Sequence, residues 1–383
     1  MADPLKWLED LAAERSRRGL ERRLVARGPS RPGRILHEGR ELINFASNDY
    51  LGLAADPRVL AAAVAATREY GWGSGASPLV CGWRTPHEHL AAALAEFERV
   101  EAVTLFPAGF AANFGAIAAL VGAGDAVFAD KLDHACLIAG AKTSGARLRI
   151  FPHADPDKLA TILHRERSQY RRVLIATDGV FSMDGDLAPL SALADLADRH
   201  ESMLLVDEAH ATGVFGPDGR GSCAQAGIAD RVQVRVGTLS KALGSLGGFV
   251  AGERRLIDQI IHQAPSFIYS TALPPAAAAA AHEALKIANE EPWRREGCHA
   301  LADRLRAELR SRGHKVPDSR GPIVPLIQGE SETALDLSSR LLDAGLLVPA
   351  IRPPTVPAGT SRLRISVTAA HTDEDVDRLL SVL

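Results

Sequence analysis

From about Val100 onward, apolar positions alternate between two rhythms. Val103 to Phe106, Val127-Phe128-Ala129, Val173 to Ala176 and Met203 to Val206 are short apolar runs, and Val232 to Val236 alternates apolar with polar. These read as strands, and the near-continuous runs ending at Asp178 and Asp207 read as buried on both faces. Between them Leu190, Leu193, Ala194 and Ala197 mark one face of a helix, while Gly109-Phe110-Ala111-Ala112-Asn113 opens a helix rich in small residues. Asp133-His134-Ala135 begins another element. Apolar strands separated by amphipathic helices predict an α/β fold with a mostly parallel sheet covered on both sides, and in such sheets ligands bind at the carboxyl ends of the strands.

On either side of this core the pattern changes. From Pro4 to about Arg27, Leu5, Leu8, Leu11 and Leu20 share one side of a basic helical pattern, with Arg15, Arg18, Arg22, Arg23 and Arg27 on the others. A solvated charged face is the plain reading, and an arginine reaching a substrate carboxylate is the sharper one. Ile43 to Gly52 ends a strand in a cluster of polar turn formers. Gly71 to Ser77 reads as a glycine-rich loop, since no strand precedes it as a dinucleotide fingerprint requires. The next helix is expected to start with Thr85 as N-cap, Pro86 in its first turn and Glu88 closing a capping box, with Leu90, Leu94 and Phe97 as its apolar stripe. At Pro274-Pro275 an alanine run leads into one long helical stretch to about Arg312. Strands at Val324 to Ile327, Leu346 to Val348 and Leu363 to Val367 follow, with a helix from Glu332 to Asp343. The expected divisions are an N-terminal helical arm over residues 1–45, a large domain over 46–280 and a smaller C-terminal α+β domain over 281–383.

Composition narrows the class. Apolar residues make up 46% of the chain and charged residues 24%, an ordinary globular balance. A formal net charge of −3 gives no electrostatic reason to expect a nucleic acid or a membrane surface as partner. The first ten residues carry charges where a signal peptide needs an apolar run, and no later stretch is long enough to span a bilayer, so a cytoplasmic location is expected. Cys81, Cys136, Cys223 and Cys298 form no CxxC pair and read as reduced thiols. His87 and His89 lack the four-residue spacing of a zinc helix, and no metal is expected.

The candidate chemistry lies just past the strand ends. Lys241 sits in Thr238-Leu239-Ser240-Lys241-Ala242-Leu243-Gly244. A partly desolvated lysine beside another positive group loses its proton readily enough to act as a nucleophile, and its natural product is a Schiff base. Taken alone, such a lysine is more often solvated. Asp207-Glu208-Ala209-His210 at the preceding strand end changes the balance. A carboxylate there can pair with a pyridinium nitrogen and keep the ring an electron sink, while His210 hydrogen-bonds a ring oxygen and His134 stacks on the ring face. Each has a duller alternative, a turn-capping aspartate or a structural histidine. Jointly they make chemical sense for pyridoxal phosphate.

These residues, together with Asn48-Asp49-Tyr50-Leu51-Gly52-Leu53, Val180-Phe181-Ser182-Met183-Asp184-Gly185-Asp186, Tyr269-Ser270-Thr271 and the run from Ile351 to Arg364, resemble the α-oxoamine synthases. Those are pyridoxal-phosphate enzymes of the aspartate-aminotransferase fold, and the resemblance runs from about Asn44 to the C-terminus. It implies a sheet of the seven-stranded type flanked by helices and a homodimer with a shared active site. It implies that Lys241 carries the cofactor, Asp207 pairs with its ring nitrogen, His210 and Ser182 hold its ring oxygen, and His134 stacks on it. Thr238 and the Gly109 and Phe110 backbone would hold the cofactor further, and Thr271 would reach the phosphate of the neighbouring subunit's cofactor. Lys241, His134 and Asp207 are the implied catalytic residues. Arg22, His134 and Thr355 match substrate-contacting positions, and Arg364 matches a clamp for the amino-acid carboxylate. The Arg352-Pro353-Pro354-Thr355 start of the last motif resembles the branch that condenses L-alanine with a pimeloyl thioester, on acyl carrier protein or coenzyme A, releasing carbon dioxide and thiol in biotin synthesis. A relative such as glycine C-acetyltransferase is the alternative. A dehydrogenase would need a G-x-G-x-x-G turn that Gly71 to Gly75 does not supply, and a non-catalytic binding domain would not need Lys241, Asp207 and His210 intact.

Overall fold

A computed structural model describes residues 3–383. Seven strands form the central sheet: β1 (Ala102–Phe106), β2 (Ala126–Asp130), β3 (Arg147–Phe151), β4 (Val173–Asp178), β5 (Met203–Asp207), β6 (Val234–Thr238) and β7 (Gly248–Gly252). Their order is β1-β7-β6-β5-β4-β2-β3. Neighbours are parallel except at β7, which runs antiparallel to both β1 and β6. Every residue of β1, β2, β4, β6 and β7 is buried, which is why most of these segments read as unbroken apolar runs. Two strands carried no such signal. Edge strand β3 leaves Arg147 and Ile150 exposed, and its two arginines hide its apolar residues. Strand β7 begins and ends in glycine because it passes close to its neighbours: a Cβ on Gly248 would sit 2.6 Å from the Gly109 Cα.

Three expectations about helices change. The N-terminal helix spans only Trp7–Arg17 and buries no residue, so nothing rewards its continuation to Arg27; Gly19, at φ +60°, turns the chain, and Arg22 and Arg23 follow in non-helical backbone. The helix Thr85–Glu98 is capped at Arg84, whose N–H donates to His87 Nδ1 at 3.0 Å, so an imidazole does the work expected of Glu88. The long helical stretch after residue 275 is two helices, Pro275–Glu290 and Trp293–Ser311, interrupted at Pro292, which has no N–H to continue the first.

Towards the C-terminus Ile323–Gly329, Ser361–Ser366 and Ala350–Ile351 make an antiparallel sheet. Strands Ser30–Arg31, Arg34–His37 and Arg40–Asn44 join Leu346–Leu347 in a second sheet, so the segment leading into Phe45 pairs with the C-terminal part of the chain. Phe45, Leu305, Val324, Leu363 and Leu379 pack together in the core between these sheets and their helices.

Candidate active site

The carboxyl ends of β2, β4, β5 and β6 and the start of helix Gly109–Leu120 enclose a cleft of about 230 Å³, lined among others by Gly109, Phe110, His134, Ser182, Asp207, His210, Thr238 and Lys241. Residues spread over more than a hundred positions of sequence thus meet because parallel strands present their ends on one side.

Asp207 ends β5 and is buried. Its Oδ1 accepts the Ala209 N–H at 2.9 Å and its Oδ2 the side-chain amide of Asn113 at 2.8 Å. Burial raises its pKa, and the charge of Lys241 pulls it back. The parallel register sets Asp178 of β4 beside it. Burial, and then the neighbouring Asp207, lift Asp178 well above the usual carboxylate range.

Lys241 follows β6, and its Nζ stands 2.9 Å from His210 Nε2. Burial lowers its pKa, while Asp207 and Asp178 oppose the shift. Burial, followed by the charges of Lys241 and Arg364, drives His210 well below the ordinary imidazole value and leaves it neutral. The other ring nitrogen of His210 lies 2.7 Å from the Tyr50 hydroxyl. Behind Tyr50, Arg364 donates to Ser182 O at 2.5 Å, Asn48 Oδ1 at 3.1 Å and Ser366 Oγ at 2.8 Å. The guanidinium therefore braces the back of the cleft.

His134 caps helix Ala135–Thr143, its Nδ1 accepting the Cys136 N–H at 3.3 Å with the Cys136 Sγ 2.9 Å away. Because Nδ1 is an acceptor and burial lowers the ring's pKa, the proton of a neutral His134 is on Nε2. Thr238, at the end of β6, donates to Gly247 O at 2.9 Å and lies 2.8 Å from Ser240 Oγ. Gly109 packs against it, a Cβ there meeting Thr238 Oγ1 at 3.3 Å. The first-turn amides of the helix begun by Gly109 have no intrahelical acceptor, and an anion such as phosphate is their natural guest.

This donor set fits pyridoxal phosphate: a desolvated amine, a buried carboxylate for a ring nitrogen, hydroxyls and free helix amides for a phosphate. Asn113 Oδ1 is also buried without a partner. Four expected positions do not line the cleft of this chain. Arg364 is buried behind it, held by Ser182, Asn48 and Ser366. Thr271, Arg22 and Thr355 are all exposed. Arg22 and Thr355 are nonetheless brought towards each other, because Arg352 hydrogen-bonds the carbonyls of Gly19 and Glu21 and its own carbonyl accepts the Thr355 N–H. Sequence reasoning assigned no role to Asn113, Asp178, Tyr50 or Cys136. Asn113 did leave a trace, as the one polar side chain in the run Gly109–Leu120.

Residues 40–383 match the aminotransferase class I and II family. The chain is 48% identical over 379 residues to 8-amino-7-oxononanoate synthase of Anaeromyxobacter dehalogenans (strain 2CP-1), covering 99% of this chain and 95% of that protein. The chain belongs to this family, among its 8-amino-7-oxononanoate synthases. A second such synthase, of Alkalilimnicola ehrlichii, is 50% identical over 347 residues, 90% of this chain and 88% of that one. Among solved structures, serine palmitoyltransferase of Sphingomonas wittichii superposes with a TM-score of 0.94 at 32% identity, covering 100% of this chain and 97% of that one. The 8-amino-7-oxononanoate synthase of Francisella tularensis gives 0.76 at 28% identity, covering 89% and 96%. Serine palmitoyltransferase is also solved with pyridoxal phosphate, again at a TM-score of 0.94. This member of the family is accordingly a pyridoxal-phosphate-dependent acyltransferase with the aspartate-aminotransferase fold.

Proposed function

We propose that the chain condenses L-alanine with a pimeloyl thioester to give 8-amino-7-oxononanoate, carbon dioxide and free thiol, in biotin synthesis. The observation that carries this reading is the desolvated Lys241 amine beside neutral His210, in one cleft with Asp207, in a chain so similar to curated synthases of that product.

Lys241 would hold the cofactor covalently, Asp207 its ring nitrogen, His210 and Ser182 its ring oxygen, and His134 its face; Thr238 with the Gly109 and Phe110 amides would hold it further. Pyridoxal phosphate, when bound, supplies a sink for the negative charge left on the alanine α-carbon. Lys241 serves as the base: desolvation keeps a neutral amine within reach at ordinary pH, and Nζ takes the α-proton and later returns one. Asp207 keeps the ring-nitrogen proton in place. His134, with its proton on Nε2, donates to the alanine carboxylate or the thioester oxygen. Arg22 and Thr355 contact substrate, and Arg364 serves the amino-acid carboxylate.

Thr271 belongs to the cofactor site of a second copy, and the active unit is a homodimer. Leu79, Val80 and Tyr269, at 55%, 78% and 83% exposure, support such a partner surface. No helix among the described residues is long and apolar enough to cross a membrane, and we place the enzyme in the cytoplasm. The backbone likeness to serine palmitoyltransferases makes the choice of amino acid the point to test. Thiol release by the cofactor-loaded protein is measured with alanine, glycine and serine, each paired with pimeloyl-, acetyl- and palmitoyl-CoA. Release is expected mainly with alanine and pimeloyl-CoA. Release confined to glycine with acetyl-CoA would reassign the chain to a glycine C-acetyltransferase.

A further inference from the structure

We propose that His153 is a positioning residue that ties the turn carrying Ser182 to the strand end that sets His134. The proposal rests on the reading of Ser182 and His134 as cofactor contacts.

His153 lies two residues beyond β3. Its Nδ1–H donates to Asp130 Oδ1 and its Nε2–H to Asp186 Oδ2, each at 2.9 Å. A neutral imidazole has one N–H and cannot make both bonds as donor, so the pair of carboxylates holds an imidazolium. Hydrogen bonds to Asp130 and then Asp186 raise its pKa to about 10.

The two carboxylates belong to different parts of the site. Asp130 ends β2 and also accepts the N–H groups of Leu132 at 2.8 Å and Ala154 at 2.7 Å. Its own N–H donates to Asp133 Oδ2 at 2.9 Å, Asp133 Oδ1 accepts the Asp178 N–H at 3.0 Å, and Asp178 Oδ1 accepts the His134 N–H at 3.3 Å. One continuous path of hydrogen bonds thus runs from His153 to the backbone of His134.

Asp186 closes the tight turn on which Ser182 rides: the Phe181 N–H donates to Asp186 O at 3.0 Å and the Gly185 N–H to Phe181 O at 2.8 Å. The Phe181 ring meets the His153 ring edge-on at 4.4 Å. From the far side the same turn is gripped by Arg364 on Ser182 O and by Arg362 on Asp184. His153 itself does not line the cleft. It therefore acts through the turn, and without it the anchors left to the turn's own residues come from the C-terminal part of the chain: Arg362, Arg364 and the Arg320 N–H, which donates to Gly185 O at 2.7 Å.

The test is the cofactor dissociation constant of the full chain, read by titrating apoprotein with pyridoxal phosphate, and the absorbance of the bound cofactor. His153→Gln and Asp186→Asn are each expected to weaken cofactor binding about 10- to 100-fold, the usual range for a residue that orients a ligating group. The double variant should be no weaker than the worse single one, because both remove the same link. Binding and absorbance at the parental values in both single variants, with only the unfolding midpoint lowered, would reduce His153 to a structural residue. Asp186 is partly exposed, so Asp186→Asn decides the matter if His153→Gln does not fold. Ser182→Ala separates the two readings: parental binding there removes the premise that Ser182 contacts the cofactor, whereas weakened binding there with unaltered His153→Gln and Asp186→Asn overturns the link alone.

Discussion

At the amino end of β6, Arg235 and Glu98 are 3% and 1% exposed and face each other at 3.0 Å, and Arg235 also donates to Glu98 O at 2.9 Å. At the carboxyl end of the same strand, Lys241 faces a neutral imidazole, and the buried Asp207 is met by an amide side chain, a backbone N–H and the Cys136 thiol but by no cation in contact. The amino end of β2 repeats the first arrangement: Asp125 accepts from the guanidinium groups of both Arg171 and Arg172 and from the backbone of Gly122 and Arg172. Strand β6 therefore buries polar groups at both ends, with the partner built in at its amino end and left out in the cleft at the other. Charge without a built-in partner costs stability in the bare protein and is repaid only when a ligand supplies the complement. The difference marks where chemistry happens.

Replacing a residue at each end should break different things. Lys241→Ala should lower turnover by about 10³-fold or more while leaving unfolding free energy equal to or above the parent's, because it removes a buried amine that has no carboxylate partner. Single-turnover thiol release and urea unfolding measure both, and a variant with near-parental turnover would remove Lys241 from the mechanism. At the other end Glu98→Leu should cost about 3–5 kcal/mol, because it leaves the buried Arg235 guanidinium without its partner. Arg235→Leu should cost less, since burial pushes the Glu98 carboxyl up to about 8 even beside Arg235, and without the guanidinium it is buried as a neutral acid. Turnover per folded molecule should survive both. Equal costs in urea unfolding would contradict this asymmetry.

The same contrast explains what could be read from the chain. Buried β4 and β5 were visible because both faces are apolar, and their terminal Asp178 and Asp207 pointed to the cleft end of the sheet. Lys241, His210 and His134 were legible as residues just past strand ends whose chemistry suits one cofactor. Strand β3 was not, since an exposed edge tolerates Arg147 and Arg149. The arm misled for the opposite reason: its leucines keep helical spacing, but none is buried and the helix stops at Arg17. His153 could not be found in the linear chain, because its two carboxylates lie 23 and 33 residues away and only the fold brings them to one ring.

The smallest expected effect concerns pH at the closed end. Burial alone would raise the pKa of Asp125, but the hydrogen bonds from Arg171 and Arg172 outweigh it and hold the carboxyl well below its ordinary value. A carboxyl depressed in the folded state contributes stability that is fully present above its unfolded pKa, about 3.9, and is lost as pH falls towards the folded one. Asp125→Asn should therefore cost about 1–2 kcal/mol at neutral pH, less than the Glu98 change because both arginines remain substantially exposed to water. Its unfolding free energy should also fall less steeply than the parent's below about pH 5. Urea unfolding of both proteins across that acid range reads the two slopes. Parallel slopes would mean that Asp125 is no more acidic folded than unfolded, and that the paired end of the sheet owes its stability to packing rather than to its ion pairs.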